Sequence, residues 1–300
     1  QGTRDEILVA PSHPYTKMLI GSVPSLTPPN RPIPEVAETA LEAKALNKTY
    51  GRVGFFEKGR LVKAAQDVEL ILRRGETLGV VGESGSGKST VARCVVRLID
   101  PTSGNINVEG TNIAQMAESE LRAYRQKIQI VFQDPYRSLN PRRTVGQSIV
   151  EGPMNFGLSG IEAQSRAENL MRVVGLAPEA LTRFPHQFSG GQRQRICIAR
   201  ALAMEPRVLI ADEAVSALDV SVQAQVLRLL QDVRERYDLA MLFITHDLRV
   251  AAQICDRIMV MQRGVVVEEG RTSEVYANPQ HPYTRSLLNA APGRETNFAR

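Results

Sequence analysis

The hydrophobic pattern of this chain alternates between short apolar runs and longer stretches with helical periodicity. The apolar runs predict β-strands over residues 77–81, 128–132, 208–211, 241–245 and 258–261. The periodic stretches predict helices over residues 89–98, 193–204, 221–237 and 248–254. Strands that alternate with crossover helices imply an α/β fold whose mainly parallel sheet is covered on both faces.

One stretch departs from this alternation. Residues 142–185 have helical but no strand-like character, which predicts a helical insert in the α/β domain. The complete domain is expected to begin near residues 36–42. Before it, residues 25–35 form a proline-rich run without periodicity, which favours an extended linker over packed structure.

The two ends of the chain resemble each other. Residues 2–24, the front copy, align without a gap on residues 270–292, the rear copy, and both contain the block His-Pro-Tyr-Thr. A solenoid would repeat this segment in the interior of the chain, where it does not recur. Each copy is therefore expected to end a domain, and the front copy predicts an upstream domain of which this chain holds the tail. The first residue, Gln1, agrees with a longer polypeptide.

Composition narrows the class of protein. A hydrophobic fraction of 43% supports a sizeable core, and the net charge of +5 fits either a phosphate-handling or membrane-proximal protein or an ordinary solvated basic surface. Cys94, Cys197 and Cys255 lack C-x-x-C spacing and are expected to be buried thiols in a reducing compartment. Apolar runs fall short of the roughly 18 residues that cross a bilayer, so a cytoplasmic protein, soluble by itself, is expected.

The strongest chemical motif follows the predicted strand 77–81. Residues 82–90, the phosphate loop, match G-x-x-x-x-G-K-[ST] between a strand and a helix. Glycines let backbone N–H groups turn toward phosphates, and the helix N-terminus adds its positive dipole end. Lys88 is predicted to reach the β- and γ-phosphates, and the Ser89 hydroxyl to bind Mg²⁺. The predicted nucleotide-binding residues of the loop are Gly82, Glu83, Ser84, Gly85, Ser86, Gly87, Lys88, Ser89 and Thr90.

An acidic pair follows another predicted strand. The strand 208–211 leads directly to Asp212 and Glu213. Beside a phosphate loop, Asp212 is predicted to hold Mg²⁺ directly or through water. Glu213 is predicted to orient and deprotonate the attacking water. Without the loop, the pair would be read as an ordinary polar strand end.

Residues 188–195, the signature segment, carry a family resemblance. They read Phe-Ser-Gly-Gly-Gln-Arg-Gln-Arg and resemble the signature Leu-Ser-Gly-Gly-Gln of ABC ATPases, with Phe in the first place. A serine and two glycines that open a helix form a second anion-binding terminus. With the phosphate loop, the acidic pair and residues 216–219 and 245–247, this segment identifies residues 42–293 as an ABC nucleotide-binding domain. The resemblance implies a P-loop NTPase fold with a RecA-like core, an antiparallel β subdomain and a helical subdomain at about residues 142–195.

The resemblance assigns further roles to individual residues. Tyr50 resembles the aromatic that stacks on adenine, and Gln133 the glutamine that senses Mg²⁺ and water and faces the membrane subunit. His246 resembles the switch histidine at the γ-phosphate, and Asp219 the residue that communicates across the dimer. The implied catalytic residues are Glu213, His246, Gln133 and Lys88, and the implied Mg²⁺ ligands are Ser89, Gln133 and Asp212.

Domains of this family sandwich two ATP molecules between the phosphate loop of one domain and the signature of the other. The signature residues implied to act on the partner's ATP are Ser189, Gly190, Gly191 and Gln192. Because hydrolysis then needs both domains, this chain alone is expected to be a weak ATPase.

Within the family, residues 133–141, 184–195 and the block at 281–284 resemble ATP-binding subunits of oligopeptide and dipeptide importers, a group that includes nickel and glutathione importers and tandem fusions. The implied partners are a second nucleotide-binding domain fused upstream, two transmembrane permease subunits and, indirectly, an extracytoplasmic solute-binding protein. The implied location is the cytoplasmic face of the bacterial inner membrane. The implied plan is a preceding domain's tail at 1–26, a linker at 27–38, an ABC domain at 39–270 and an importer-type extension at 271–300.

Two departures from this group stand out. Ala214 and Val215 replace the usual Pro-Thr after the glutamate, which could alter the loop that leads to Asp219. The cysteine cluster of some C-terminal extensions is missing from the sequence, so no iron–sulfur centre is expected.

Two other classes of protein fit the sequence less well. A soluble ABC ATPase that acts on DNA or ribosomes usually carries a nucleic-acid-binding insert, and no basic or zinc-bearing insertion interrupts this sequence, so no nucleic acid partner is expected. If the protein were a P-loop kinase or GTPase, the Ser-Gly-Gly-Gln sequence of the signature segment would have no explanation. The favoured function is therefore an ATPase that drives an importer of peptides or related solutes.

Overall fold

The computed structural model describes residues 3, 7–8, 11–29, 31, 37–51 and 61–291. The front copy and the proline-rich linker are described only in part, since residues 1–2, 4–6, 9–10, 30 and 32–36 lie outside these ranges. Residues 52–60 and 292–300 also lie outside them, and with them the last position of the rear copy.

The described residues form two sheets flanked by helices. The strands are β1 (Thr39–Tyr50), β2 (Val62–Arg73), β3 (Thr77–Val81), β4 (Ser103–Val108), β5 (Thr111–Asn112), β6 (Ile128–Val131), β7 (Val208–Asp212), β8 (Ala240–Thr245), β9 (Arg257–Gln262) and β10 (Val265–Arg271). The α-helices include α1 (Pro14–Gly21), α2 (Lys88–Val95), α3 (Glu118–Lys127), α4 (Pro135–Ser138), α5 (Val145–Asn155), α6 (Gly160–Val173), α7 (Gly190–Leu202), α8 (Val220–Tyr237), α9 (Leu248–Ile254), α10 (Thr272–Ala277) and α11 (Pro282–Ala290).

The larger sheet has the strand order β10-β9-β3-β8-β7-β6, and all its neighbours are parallel except the pair β9 and β10. Every residue of β3, β7 and β8 is buried, as expected for parallel strands covered on both faces. All five strands predicted from apolar runs lie in this sheet. In the registers, Val81 pairs with Thr245 and Asp212 with Ile244, so the carboxyl ends of β3, β8 and β7 meet at one edge.

The smaller sheet is antiparallel, with the order β2-β1-β4-β5. It confirms the β subdomain that the family resemblance implied, although the hydrophobic pattern did not predict its strands. The reason is visible in the two long strands. Ala45 and Asp67 adopt left-handed conformations, with φ of 47° and 46°, and the register of β1 with β2 shifts beside them. Such bulges interrupt the two-residue alternation by which a strand is recognised.

The insert at residues 142–185 is helical, as predicted. Its two longer helices, α5 and α6, begin with reciprocal caps. Thr144 Oγ1 accepts a bond from the Gln147 N–H at 3.2 Å, and Ser159 Oγ accepts one from the Glu162 N–H at 3.3 Å. Each pair satisfies N–H groups that a helix start would otherwise leave without a partner. The described part of the chain contains no helix long and apolar enough to cross a membrane.

Two predicted helices have different bounds in the structure. The predicted helix 89–98 ends at Val95, because Arg97 takes a left-handed conformation with φ of 54°. The predicted helix 193–204 begins already at Gly190, because Ser189 caps it. One residue decides each of these bounds, Arg97 by its backbone conformation and Ser189 by its side-chain cap, and periodicity reports neither.

The three cysteines are buried free thiols, as predicted. Burial raises the pKa of Cys94 and of Cys197 to about 11, and it raises the pKa of Cys255 as well. They therefore remain protonated at neutral pH, and thiols in this state are poor nucleophiles.

The repeated His-Pro-Tyr-Thr block is a helix start at both ends of the chain. His13 caps α1 and His281 caps α11, each accepting a bond at Nδ1 from the Tyr N–H two residues on, at 3.2 Å. Proline occupies the first helical position, where its missing N–H costs nothing. The sequence repeat is thus also a structural repeat.

The segment that follows α1 contacts the α/β domain. Gln253, near the end of α9, donates from Nε2 to the carbonyl oxygens of Ser25 at 2.9 Å and Thr27 at 3.3 Å. Arg31 donates to the Gln253 carbonyl and lies 3.7 Å from the Asp256 carboxylate. These described residues form neither helix nor strand, and hydrogen bonds hold them against the surface.

Asp256 joins two elements of the fold. Its Oδ2 accepts the Thr77 N–H at 2.8 Å, at the start of β3, and a bond from Arg234 Nη1 of α8 at 2.7 Å. Only 7% of the Asp256 side chain and 11% of the Arg234 side chain are exposed. Removing one partner of a buried ion pair leaves an uncompensated charge, which is far more costly than losing a surface pair.

We predict that Asp256→Ala lowers the free energy of unfolding by about 3 kcal/mol. The matched control is Glu151→Ala, which removes the exposed ion pair between Glu151 and Arg143 and should cost at most about 1 kcal/mol. Urea denaturation of both variants measures the difference. Equal losses would contradict the assignment of Asp256 as a buried junction.

Candidate active site

Close backbone approach explains two glycines of the phosphate loop. A Cβ on Gly82, whose φ is 149°, would lie 2.3 Å from the Met261 carbonyl oxygen. A Cβ on Gly87, whose φ is 107°, would lie 2.1 Å from the Ala64 carbonyl oxygen. The third glycine, Gly85, has a φ of 80° and open space within 4 Å of its Cβ position. The loop is therefore held tightly at its two ends and is open at its tip.

Lys88 places a buried cation inside this loop. Only 4% of the residue is exposed, and its Nζ donates to the carbonyl oxygens of Gly82 at 2.8 Å and Glu83 at 2.7 Å. Burial lowers the pKa of Lys88, while the nearby carboxylates of Glu213 and Asp212 act in the opposite direction. The ammonium group is thus already desolvated and oriented where the sequence predicts phosphates.

Ser89 and Asp212 meet across the sheet edge. The Ser89 hydroxyl, in the first turn of α2, donates to Asp212 Oδ1 at the end of β7, at 2.8 Å. Burial raises the pKa of Asp212, and the hydrogen bond from Ser89 partly offsets this. A hydroxyl and a carboxylate in contact are oxygen donors of the kind that Mg²⁺ prefers, so these two residues fit that ion. The described residues contain no group of three or more His, Cys, Asp or Glu placed to hold a metal, so Mg²⁺ would also need phosphate and water oxygens.

Glu213 and His246 form the next pair at this edge. Glu213 Oε2 lies 3.3 Å from His246 Nδ1. Glu213 adopts a left-handed conformation, with φ of 51°, and its N–H donates to the Ile244 carbonyl at 3.0 Å. A left-handed backbone at a residue other than glycine is strained, and such residues cluster at functional sites. The adjacent ends of β7 and β8 therefore bring a carboxylate and an imidazole together.

Gln133 is connected to the same loop. Its Nε2 donates to Ser216 Oγ at 3.1 Å, and the Ser216 hydroxyl donates to the Glu213 carbonyl at 3.0 Å. The structure thus gathers Gln133 with the predicted residues Lys88, Ser89, Asp212, Glu213 and His246 at the carboxyl ends of the parallel strands.

The loop after Glu213 accommodates its unusual residues. Ala214 and Val215 are 1% and 2% exposed and belong to the main hydrophobic core. Asp219 ends the loop and caps α8, accepting the Val222 N–H at 3.0 Å and the Ser221 hydroxyl at 2.7 Å. These bonds, led by that from Val222, lower the pKa of Asp219. Within this chain Asp219 is a helix cap.

The signature segment is not hydrogen-bonded to the phosphate loop. Among the described residues, no hydrogen bond joins Ser189–Gln192 to residues 82–90. Ser189 caps α7, with its Oγ accepting the Gln192 N–H at 3.3 Å and Gln192 Oε1 accepting the Ser189 N–H at 3.0 Å. A Cβ on Gly191 would lie 2.2 Å from Val222 Cγ1, whereas one on Gly190 would meet no atom within 4 Å. Gly191 is thus required by packing against α8, and Gly190 is open.

Two tyrosines are relevant to the site, one predicted from the sequence and one not. Tyr50, at the end of β1, is 38% exposed, with Lys48 Nζ 5.1 Å from its ring centroid. The second, Tyr283, was missed as a site residue, although the repeated block in which it stands was the available signal. Its hydroxyl oxygen accepts the Glu83 N–H of the phosphate loop at 3.1 Å.

Comparison with known proteins agrees with this geometry. Residues 65–216 match the model of the family described as ABC transporter. The chain belongs to the ABC transporter family. Residues 1–54 and 267–297 match the model described as oligopeptide/dipeptide transporter, C-terminal region. Both ends of this ABC protein therefore resemble the same C-terminal region, in agreement with the repeat found in the sequence.

Relatives fall in the importer group that the sequence resembles. The probable peptide ABC transporter ATP-binding protein y4tS of Sinorhizobium fredii is 52% identical, over 86% of this chain and 74% of that protein. The glutathione import ATP-binding protein GsiA of Escherichia coli is 44% identical, over 100% of this chain and 52% of that protein. The chain thus spans about half the length of the glutathione relative.

Solved structures confirm the ABC fold. The dimeric post-hydrolysis structure of the ATP-binding cassette MJ0796, bound to ADP and Pi, has a TM-score of 0.69 and 30% identity, over 77% of this chain and 98% of that chain. The cbiO1 structure from Clostridium perfringens, part of the ABC transporter complex cbiONQ, has a TM-score of 0.69 and 29% identity, over 80% of this chain and 92% of that chain.

We predict that the two signature glycines differ in their effect on folding. Gly191→Ala should lower the free energy of unfolding by about 1–3 kcal/mol, because its methyl group would overlap Val222. Gly190→Ala should change it by less than about 1 kcal/mol, because the space there is open. Urea denaturation of the two variants tests this, and a larger loss for Gly190→Ala would refute it.

Proposed function

We propose that this chain binds ATP with Mg²⁺ and hydrolyses it to drive an ABC importer for peptides or related small solutes. The observation that carries the proposal is the convergence of Lys88, the Ser89–Asp212 pair and the Glu213–His246 pair at one edge of the parallel sheet. That edge, outside the carboxyl ends of the strands, is where open α/β sheets bind ligands.

ATP binding uses the phosphate loop and its cation. The backbone of residues 82–90 cradles the β- and γ-phosphates, and Lys88 exchanges its bonds to loop carbonyls for bonds to phosphate oxygens. Ser89, Asp212 and Gln133 are the residues that would hold Mg²⁺, which would supply positive charge beside the phosphate oxygens. Tyr50 is the proposed stacking surface for adenine.

Hydrolysis depends on the second pair. The carboxylate of Glu213 accepts a proton from a water molecule, whose oxygen bonds to the γ-phosphorus as the bond between that phosphorus and the β,γ-bridging oxygen breaks. ADP leaves with the electron pair of the broken bond. His246 Nδ1 lies 3.3 Å from the Glu213 carboxylate, and its proposed role is to contact the γ-phosphate. The position of Glu213 is set by its backbone bond to β8 rather than by substrate.

The signature segment requires a second domain. At the start of α7, Ser189 is exposed and Gly190 is half-buried. The N-terminus of this helix is suited to an anion. In a sandwich dimer, Ser189, Gly190, Gly191 and Gln192 would act on the partner's ATP, and Asp219 would lie near the dimer interface. The likeness to the dimeric cassette MJ0796 supports this arrangement.

The second domain is proposed to precede this chain in one polypeptide. The front copy and the rear copy match the same C-terminal model and share the same helix cap, which supports a domain tail at 1–26, a linker at 27–38, an ABC domain at 39–270 and an extension at 271–300. The tandem pair would work on two transmembrane permease subunits at the cytoplasmic face of the bacterial inner membrane, with a solute-binding protein on the other side.

We predict that Glu213→Gln abolishes ATP turnover but not ATP binding, because the amide keeps the shape of the side chain and cannot accept the proton. Turnover in the assembled transporter should fall by at least about 100-fold, the range that general base catalysis supplies. Trapped nucleotide and released phosphate are the two measurements.

The matched control is Glu205→Gln. Glu205 shares the left-handed backbone of Glu213, with φ of 51°, but pairs with Arg166 away from the site. ATP turnover by the Glu205→Gln variant should remain within about twofold of wild type. Hydrolysis by Glu213→Gln at the wild-type rate would remove Glu213 from the role of base.

A further inference from the structure

One peptide unit of the phosphate loop is held from both sides. The carbonyl oxygen of Gly82 accepts a bond from Lys88 Nζ at 2.8 Å, and the N–H of the same peptide unit, on Glu83, donates to the Tyr283 hydroxyl at 3.1 Å. A peptide unit is planar, and its C=O and N–H point in opposite directions. Fixing the N–H toward Tyr283 therefore fixes the carbonyl toward Lys88.

The restraint acts on a peptide unit whose first residue is a glycine. A flip of the Gly82–Glu83 peptide rotates ψ of Gly82 and φ of Glu83 in opposite directions. Glycine tolerates backbone conformations that other residues avoid, so the residue at Gly82 presents little steric resistance to the flip. A flipped unit would aim its N–H at the ammonium group of Lys88 and its carbonyl toward Tyr283.

Tyr283 stands on a well-supported helix start. The N–H groups of Gln280 and His281 donate to the two carboxylate oxygens of Glu268 in β10, at 2.7 and 3.0 Å. His281 caps α11, and Leu288 of the same helix is buried in the main core. The Tyr283 ring packs against this core, which leaves its hydroxyl directed at the loop.

We propose that Tyr283 is a positioning residue for ATP binding, which acts by orienting the Gly82–Glu83 peptide and so holding the phosphate loop and Lys88 ready for phosphate. The inference rests on the proposed function, in that the ligand of the loop is ATP. It assigns a role to the C-terminal extension: the helix after the ABC core restrains the loop that grips the nucleotide.

The front copy supplies a matched control. Tyr15 stands in the same block, after the same histidine cap, but is 59% exposed. Among the described residues its hydroxyl has no hydrogen-bond partner. Tyr15→Phe therefore removes a hydroxyl from the same motif without touching the loop of this domain.

The test compares Tyr283→Phe with Tyr15→Phe in the whole polypeptide that carries this chain. Without nucleotide, hydrogen exchange of the Glu83 amide should accelerate at least about threefold in Tyr283→Phe, because the amide loses its acceptor while the ring still packs. The KM for ATP should rise about fivefold, with kcat within about twofold of wild type. Tyr15→Phe should leave exchange at Glu83 unchanged, because Tyr15 does not contact this loop.

Three outcomes would overturn the inference. These are unchanged exchange at Glu83 in Tyr283→Phe, faster exchange with an unchanged KM, and equally accelerated exchange at Glu83 in Tyr15→Phe. Failure of the proposed function has a different signature, namely wild-type polypeptide that neither binds nor hydrolyses ATP, whereas the exchange measurement reads the contact directly.

Discussion

The register of the three parallel strands β3, β8 and β7 is the constraint on which the site depends. Val81 lies beside Thr245 and Asp212 beside Ile244, so the loops that follow these strands begin at the same edge. Because side chains alternate between faces, a slip of one residue would reverse the faces of β7 relative to its neighbours. The packing that prevents such a slip is strong, since every residue of these strands is buried.

The residues at this edge are held by contacts within the protein itself. Lys88 is bonded to loop carbonyls, Ser89 to Asp212, and Glu213 lies beside His246. Folding thus meets the cost of desolvating and orienting these groups, including the strained backbone of Glu213. A site arranged in advance needs little reorganisation when charge develops on the transferred phosphoryl group.

The two copies of the His-Pro-Tyr-Thr block show how context changes the role of a motif. Locally both copies do the same thing, because histidine caps a helix that proline opens. Tyr283 then contacts the phosphate loop, while Tyr15 is exposed. The segment that follows the front copy is joined to the ABC domain, because Gln253 donates to the carbonyl oxygens of Ser25 and Thr27.

The sequence by itself determined the features whose residues are neighbours in the chain. The phosphate loop at 82–90, the five core strands and the helical insert followed from local spacing and periodicity, because a glycine loop or a buried strand is specified within a few residues. Tertiary structure alone decided the rest. The strands β1 and β2 were missed because the bulges at Ala45 and Asp67 interrupt their alternation. The contact of Glu83 with Tyr283 joins residues 200 positions apart, and an identical block elsewhere lacks it, so only the packing of the folded chain selects which tyrosine reaches the loop.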